Sequence, residues 1–240
     1  TESVPEEILA YRLEEVAVRV PRHYWRPKLA DYGACVQVPT RAGDFVHVVR
    51  TEPRPNQTIL IHQMDTLGNA DMGLQLPCGF GKSYLALRAA TRRHGRILIV
   101  APTEVKLHEW CKEVSVHLGL PATMIGRIQA GTRKWAEYPV VLTMLKTLAM
   151  QDFPPELTNG FSTVIWDEAR LVSAVVMSKA LGKVNGTQVA LSATPGRDVR
   201  RRILNLTVGD IWIRTDEARR KITWHFVRVS VSPRVQSRDW

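Results

Sequence analysis

The chain has 240 residues, 45% hydrophobic and 23% charged, with a formal net charge of +10 and an isoelectric point near 9.9. No apolar run reaches the eighteen or so residues of a membrane helix, and the acidic opening TESVPEEILAYRLEE is unlike a signal peptide. Cys35, Cys78 and Cys111 have neither disulfide-framework nor metal-ligand spacing, which predicts a reducing, cytoplasmic setting, and the excess positive charge leans toward a polyanion, most simply nucleic acid.

In chain order, residues 1–52 read as a small antiparallel β appendage. YRLEEVAVRV alternates polar and apolar, and ACVQV and DFVHVVR flank the turn-like PTRAG. From Gly73 to Thr194, short apolar runs alternate with helix-like segments. GLQL, RILIVAP (96–102), PVVLT (139–143), FSTVIW (161–166) and QVALS (188–192) read as strands buried on both faces of a parallel sheet. SYLALRAATRRH (83–94) and EVKLHEWCKEVSVHL (104–118) carry apolar residues at three- and four-residue spacing, as covering helices do. The alternation predicts an α/β domain with a mostly parallel sheet. After Thr194 comes the basic PGRDVRRRILNL, whose Arg200, Arg201 and Arg202 present either a nucleic-acid face or a solvated helix face. KITWHFVRVSVS then alternates like a strand.

Three segments at predicted strand ends carry chemistry. LQLPCGFGKS (74–83) ends as a phosphate-binding loop ends, although Leu76 stands where the full pattern has glycine. Gly79 and Gly81 let the backbone approach a phosphate, Lys82 reaches its oxygens and Ser83 suits Mg²⁺. VIWDEAR (164–170) puts Asp167 and Glu168 on the ligand side of a parallel sheet. There Asp167 holds Mg²⁺ through water and Glu168 orients the attacking water, or the two are an exposed acidic pair opening a helix. LSATPGR (191–197) is either a relay sensing phosphate state or an ordinary turn. Trp25 and Trp110 read as core aromatics rather than base-stacking platforms. The seven histidines lack zinc spacing.

These segments, in this order, resemble superfamily 2 helicases and translocases from about Arg54 to Arg220. PCGFGKS looks like that family's P-T-G-x-G-K-[TS] loop with Cys78 in place of threonine, which implicates Pro77, Cys78, Gly79, Phe80, Gly81, Lys82 and Ser83 in nucleotide binding. WDEAR looks like the DEAD/DEAH box with Arg170 in the fourth place, and LSATP looks like the coupling motif, implicating Ser192, Ala193 and Thr194. RPNQ (54–57) is similar to the R-P-x-Q element, implying that Gln57 reads the adenine edge while Arg54 lies against the ring. VAPTEVKLHEW implies nucleic-acid contacts at Pro102 and Thr103, and IGRIQAG with VVLTMLKTL implies the same for Gly126 and Thr143. VGDIWI resembles the branch of phage recombination helicases and XPB-like duplex translocases.

The resemblance implies a RecA-like ATPase domain over residues 53–220, preceded by the 1–52 appendage. Residues 221–240 would then lead toward a second RecA-like domain outside the chain. It implies ATP and Mg²⁺ as cofactors, with nucleic acid, DNA favoured over RNA, and that second domain as partners. The expected function is an ATP-dependent DNA helicase or duplex translocase. The alternatives are a non-hydrolysing ATP- and nucleic-acid-binding module, or the motor part of a restriction or remodelling complex.

Overall fold

The computed structural model describes residues 12–13, 18–19, 45–129, 132–173, 177–180, 182–194, 204–205 and 208–215. The rest of the expected appendage, Trp25, Cys35, the tail of LSATPGR from Pro195, Arg200 to Arg202 and the KITWHFVRVSVS segment lie outside these residues. Within the appendage, β1 (Arg12–Leu13) pairs antiparallel with β2 (Val18–Arg19).

Eight further strands form one sheet. They are β3 (Met72–Gln75), β4 (Ile97–Ala101), β5 (Ile125–Gln129), β6 (Thr132–Lys134), β7 (Val140–Met144), β8 (Thr163–Trp166), β9 (Thr187–Ser192) and β10 (Trp212–Arg214). Their spatial order is β10-β3-β9-β8-β4-β7-β5-β6, with every neighbouring pair parallel except β5 with β6. The five predicted strands all form, displaced by one or two residues. The edge strands β6 and β10, and β5 next to β6, add to them, since IGRIQ and WIR are too short or too polar to stand out as buried runs.

The centre of the sheet is sealed on both faces. In β4, Ile97, Ile99 and Ala101 enter one core cluster and Leu98 and Val100 the other, the two-residue period of a strand with no wet side. Helices α1 (Thr58–Leu67), α2 (Lys82–Ala90) and α3 (Glu104–Leu118) cover the first face; α4 (Leu145–Met150) and α5 (Pro155–Thr158) pack on the second. Each fully buried aliphatic side chain contributes about 1.5–3 kcal/mol. Helix α3 matches its predicted bounds because both ends carry stop signals: Thr103 accepts from the Lys106 N–H as N-cap, and Gly119 takes a left-handed φ of 67° as C-cap.

One expectation is corrected. DFVHVVR was expected to be a strand, but residues 45–50 form none. They run instead across the domain built on the eight-stranded sheet, where the Gly95 N–H donates to the Phe45 oxygen at 2.7 Å and the Arg50 N–H to the His117 oxygen at 2.8 Å. His47 is buried and its Nε2 donates to the Gly95 oxygen at 2.8 Å. The alternation of this segment reflects contact with a helical layer on one side rather than pairing in a sheet.

Candidate nucleotide-binding site

A parallel sheet sends every strand's C-terminal end to the same edge, and that topology builds the site. The adjacent strands β3, β9, β8 and β4 release, side by side, the Leu76–Gly81 loop, Ser192–Thr194, Asp167–Glu168 and Pro102–Thr103. The loop after β3 turns into α2 through Gly79 (φ 79°) and Gly81 (φ 90°), backbone conformations that side chains with a Cβ rarely adopt. A Cβ on Gly81 would lie 2.4 Å from Gln57 Nε2, whereas one on Gly79 would meet nothing within 4 Å. Lys82 opens α2 with its ammonium donating to the oxygens of Leu76 at 3.2 Å and Pro77 at 3.4 Å.

The RPNQ element clamps this loop from the other side. Arg54 Nη1 donates to the Gly79 oxygen at 2.9 Å, and Gln57 Nε2 donates to the Phe80 oxygen at 2.8 Å. Gln57 is buried, and its Oε1 accepts from the Arg54 N–H at 2.9 Å. Both residues expected at an adenine ring thus grip loop carbonyls here.

Asp167 ends β8 with its own N–H bonded to the Val100 oxygen at 2.9 Å. Its Oδ1 accepts from the Glu168 N–H at 3.0 Å and its Oδ2 from Trp110 Nε1 at 2.9 Å. Trp110 is buried as expected, but the sequence held no signal for its bond to the carboxylate. Glu168 has φ 46°, the sole positive value at a non-glycine among the described residues. Its carboxylate lies 3.5 Å from the guanidinium of the half-exposed Arg170, the residue in the fourth place of the box. Lys106 on α3 is held above the usual lysine range, first by its bond to Glu109 and, further off, by Asp167 and Glu168.

The remaining expected residues divide. Ser192 is buried; its Oγ accepts from the Thr194 N–H at 3.2 Å, and its main-chain oxygen accepts from the Leu76 N–H at 3.3 Å, so the Ser192–Thr194 segment is bonded to the base of the Leu76–Gly81 loop. Ala193 and Thr194 become progressively more exposed. Pro102 is half-buried and Thr103 exposed at the same edge. Gly126 and Thr143 do not fit the expected nucleic-acid contacts. Thr143 is fully buried and its hydroxyl donates to the Ile128 oxygen at 3.0 Å. Gly126 is buried where a Cβ would lie 2.4 Å from the Lys134 main-chain oxygen, so it permits close strand packing.

The donor set fits a hard cation shared with phosphate. Ser83 and Asp167 offer oxygen ligands, and among the described residues no cluster of three or more His, Cys, Asp or Glu could cage a metal alone. Mg²⁺ is commonly held by one or two protein oxygens together with substrate phosphates. No helix among the described residues is long and apolar enough to cross a membrane.

Residues 50–197, over half of the chain, match the sequence family described as type III restriction enzyme, res subunit. No curated protein matches the chain. Solved structures that share the fold include the following three. The Hef helicase domain of Pyrococcus furiosus is 18% identical, TM-score 0.58, over 70% of this chain and 40% of that one. The SWI2/SNF2 ATPase core of Sulfolobus solfataricus, solved in complex with dsDNA, is 17% identical, TM-score 0.55, over 68% and 37%. The UvsW helicase of bacteriophage T4 is 19% identical, TM-score 0.57, over 85% and 81%. The chain therefore spans about two fifths of the first two relatives' length, and these identities speak for the fold.

Proposed function

The chain belongs to the type III restriction enzyme res-subunit family and carries the first RecA-like domain of a superfamily 2 helicase-like ATPase motor, and from this premise we propose that it binds Mg·ATP at the Gly79–Ser83 loop and couples hydrolysis to movement along DNA. What supports this most is the release of the phosphate loop, Ser192–Thr194, Asp167–Glu168 and Thr103 from four neighbouring strands at one edge.

In this reading the loop N–H groups and the start of α2 cradle the phosphates, and Lys82 exchanges its loop carbonyls for phosphate oxygens. Ser83 and Asp167 would hold Mg²⁺, partly through water, which when bound would supply charge neutralisation for phosphoryl transfer. Glu168 orients the attacking water and receives its proton. Arg54 and Gln57 brace the loop beside the base. Ser192, bonded to Leu76, carries a change at the loop toward Thr194. Pro102 and Thr103 face the nucleic-acid backbone; the Thr103 hydroxyl accepts a capping bond but keeps its proton to donate. DNA is favoured because one relative was solved on dsDNA and because the chain carries a net +10. Contacts to phosphates make binding sequence-tolerant and steeply salt-dependent. An arginine finger from a second RecA-like domain would add about 10³–10⁵ in rate.

The test is ATP turnover by the 240-residue chain with duplex DNA, single-stranded DNA and RNA, beside Glu168→Gln. Turnover stimulated by DNA and lost in the variant is expected. Unchanged turnover in Glu168→Gln overturns the catalytic assignment, and stimulation by RNA alone overturns the choice of DNA.

A further inference from the structure

Trp110 ends the VAPTEVKLHEW segment, in which the resemblance implicates only Pro102 and Thr103, yet its indole is bonded to Asp167. Trp110 lies in the second turn of α3, is 3% exposed, and packs in the same core cluster as Leu107 and Val114. Its indole is held by that packing, and its Nε1–H has one use, as a donor. That donor meets Asp167 Oδ2 at 2.9 Å while the Glu168 N–H occupies Oδ1 at 3.0 Å. Each carboxylate oxygen thus accepts one bond from the protein. A carboxylate offers about four acceptor sites, so capacity remains on both oxygens for water or metal.

A buried tryptophan usually finds some acceptor, and satisfying the indole is the plainer account. Two features go beyond it. The acceptor is the carboxylate at the end of β8, not a backbone carbonyl, so the bond is charge-assisted and about twice as strong as a neutral one. Lys106 lies four residues earlier on the same face of α3, near enough that Asp167 and Glu168 both add to its raised pKa. Helix α3 therefore presents a rigid neutral donor to Asp167, with the Lys106 cation, itself bonded to Glu109 at 2.6 Å, further from the acidic pair.

We propose that Trp110 is a positioning residue for metal binding, fixing the Asp167 carboxylate in the orientation from which it holds the Mg²⁺ of Mg·ATP. The proposal rests on the Mg·ATP reading above. Outer-shell partners of this kind change metal affinity about 10–100-fold when removed. Because the indole touches no nucleotide in this scheme, nucleotide binding without metal is left unchanged.

The experiment titrates Mg²⁺ against binding of a fluorescent N-methylanthraniloyl-ATP to the full chain, in wild type and Trp110→Phe. Circular dichroism checks the fold. Phenylalanine keeps an aromatic ring in the core and removes the donor. The Mg²⁺ concentration at half-effect should rise about 10-fold or more, with affinity in EDTA within twofold of wild type. Trp110→Met, which fills the space flexibly and also lacks a donor, must move the same way. A folded variant with an unchanged Mg²⁺ midpoint overturns the proposal. A purely structural role would weaken binding with and without metal alike, which also overturns it. If wild type itself shows no Mg²⁺-dependent tightening, the Mg·ATP reading falls, and this proposal with it. In unaltered ¹⁵N-labelled chain, Mn²⁺ with ATP should broaden one indole N–H resonance; no broadened indole overturns the proposal without any variant.

Discussion

Gln57 donates from Nε2 to the main-chain oxygen of Phe80 at 2.8 Å, so a side chain expected to read a base holds the phosphate loop. Its oxygen is bonded as well, to the Arg54 N–H. Gln57→Ala should therefore weaken the loop rather than base recognition. Losing such a bond costs about 0.5–1.5 kcal/mol, and fluorescent ATP and GTP analogues should lose affinity together, by about 3- to 10-fold. A loss confined to the adenine nucleotide would restore the base-reading role.

Glu168 sits at φ 46° with a full side chain. Such a conformation costs a non-glycine residue of order 1–3 kcal/mol, and strain of this sort collects at functional sites. Glu168→Gly should remove the strain, so the variant should resist urea better by about 1 kcal/mol while ATP turnover is lost. A variant that unfolds earlier than wild type would mean that the Arg170 contact or other packing outweighs the strain.

His47 is buried against Gly95, and burial pulls its pKa below the ordinary 6.5; the Gly95 carbonyl opposes this and His94 adds to it. Once unfolded, His47 takes its proton near 6.5, so below that value the unfolded chain binds more protons. Stability from this residue is present above about pH 6.5 and is lost as pH falls through the lower, folded value. Urea midpoints at pH 7.5 and 5.5 should therefore differ more in wild type than in His47→Gln. Equal differences in the two proteins would show that His47 contributes nothing to acid sensitivity.

Gly73 lies under the Trp212 ring, where an added Cβ would be 2.3 Å from Cε3. That ring is also held by Nε1 donating to Asn205 Oδ1 at 3.0 Å. Gly73→Ala should lower folding stability by about 1–3 kcal/mol, as overpacking does. Adding Trp212→Leu should recover part of that loss, giving a non-additive pair. Additive effects would separate β10 from β3 in solution.

Much of the candidate site's local geometry was legible because turn and strand-end signals act over a few residues. Gly79 and Gly81 announce a turn that needs positive φ, and Lys82 and Ser83 follow at the helix start. Asp167 and Glu168 follow an apolar strand, where a parallel sheet exposes its ends. The failures have a common cause. Thr143 and Gly126 sit in segments similar to contact motifs, yet residue type alone does not tell which way a side chain faces. In the fold, Thr143 turns inward to Ile128 and Gly126 packs against Lys134.

By itself, the sequence determined the succession of strands and helices, both ends of α3, the Gly79–Gly81 turn into α2 and the strand-end position of the acidic pair, because periodicity, capping and turn chemistry act over a few residues. The tertiary structure alone decided which strand ends lie side by side, that Trp110 meets Asp167 across 57 positions, and that Gln57 grips Phe80 across 23. Those contacts depend on strand order and helix rotation, which are set by how the whole core closes and which no local pattern encodes.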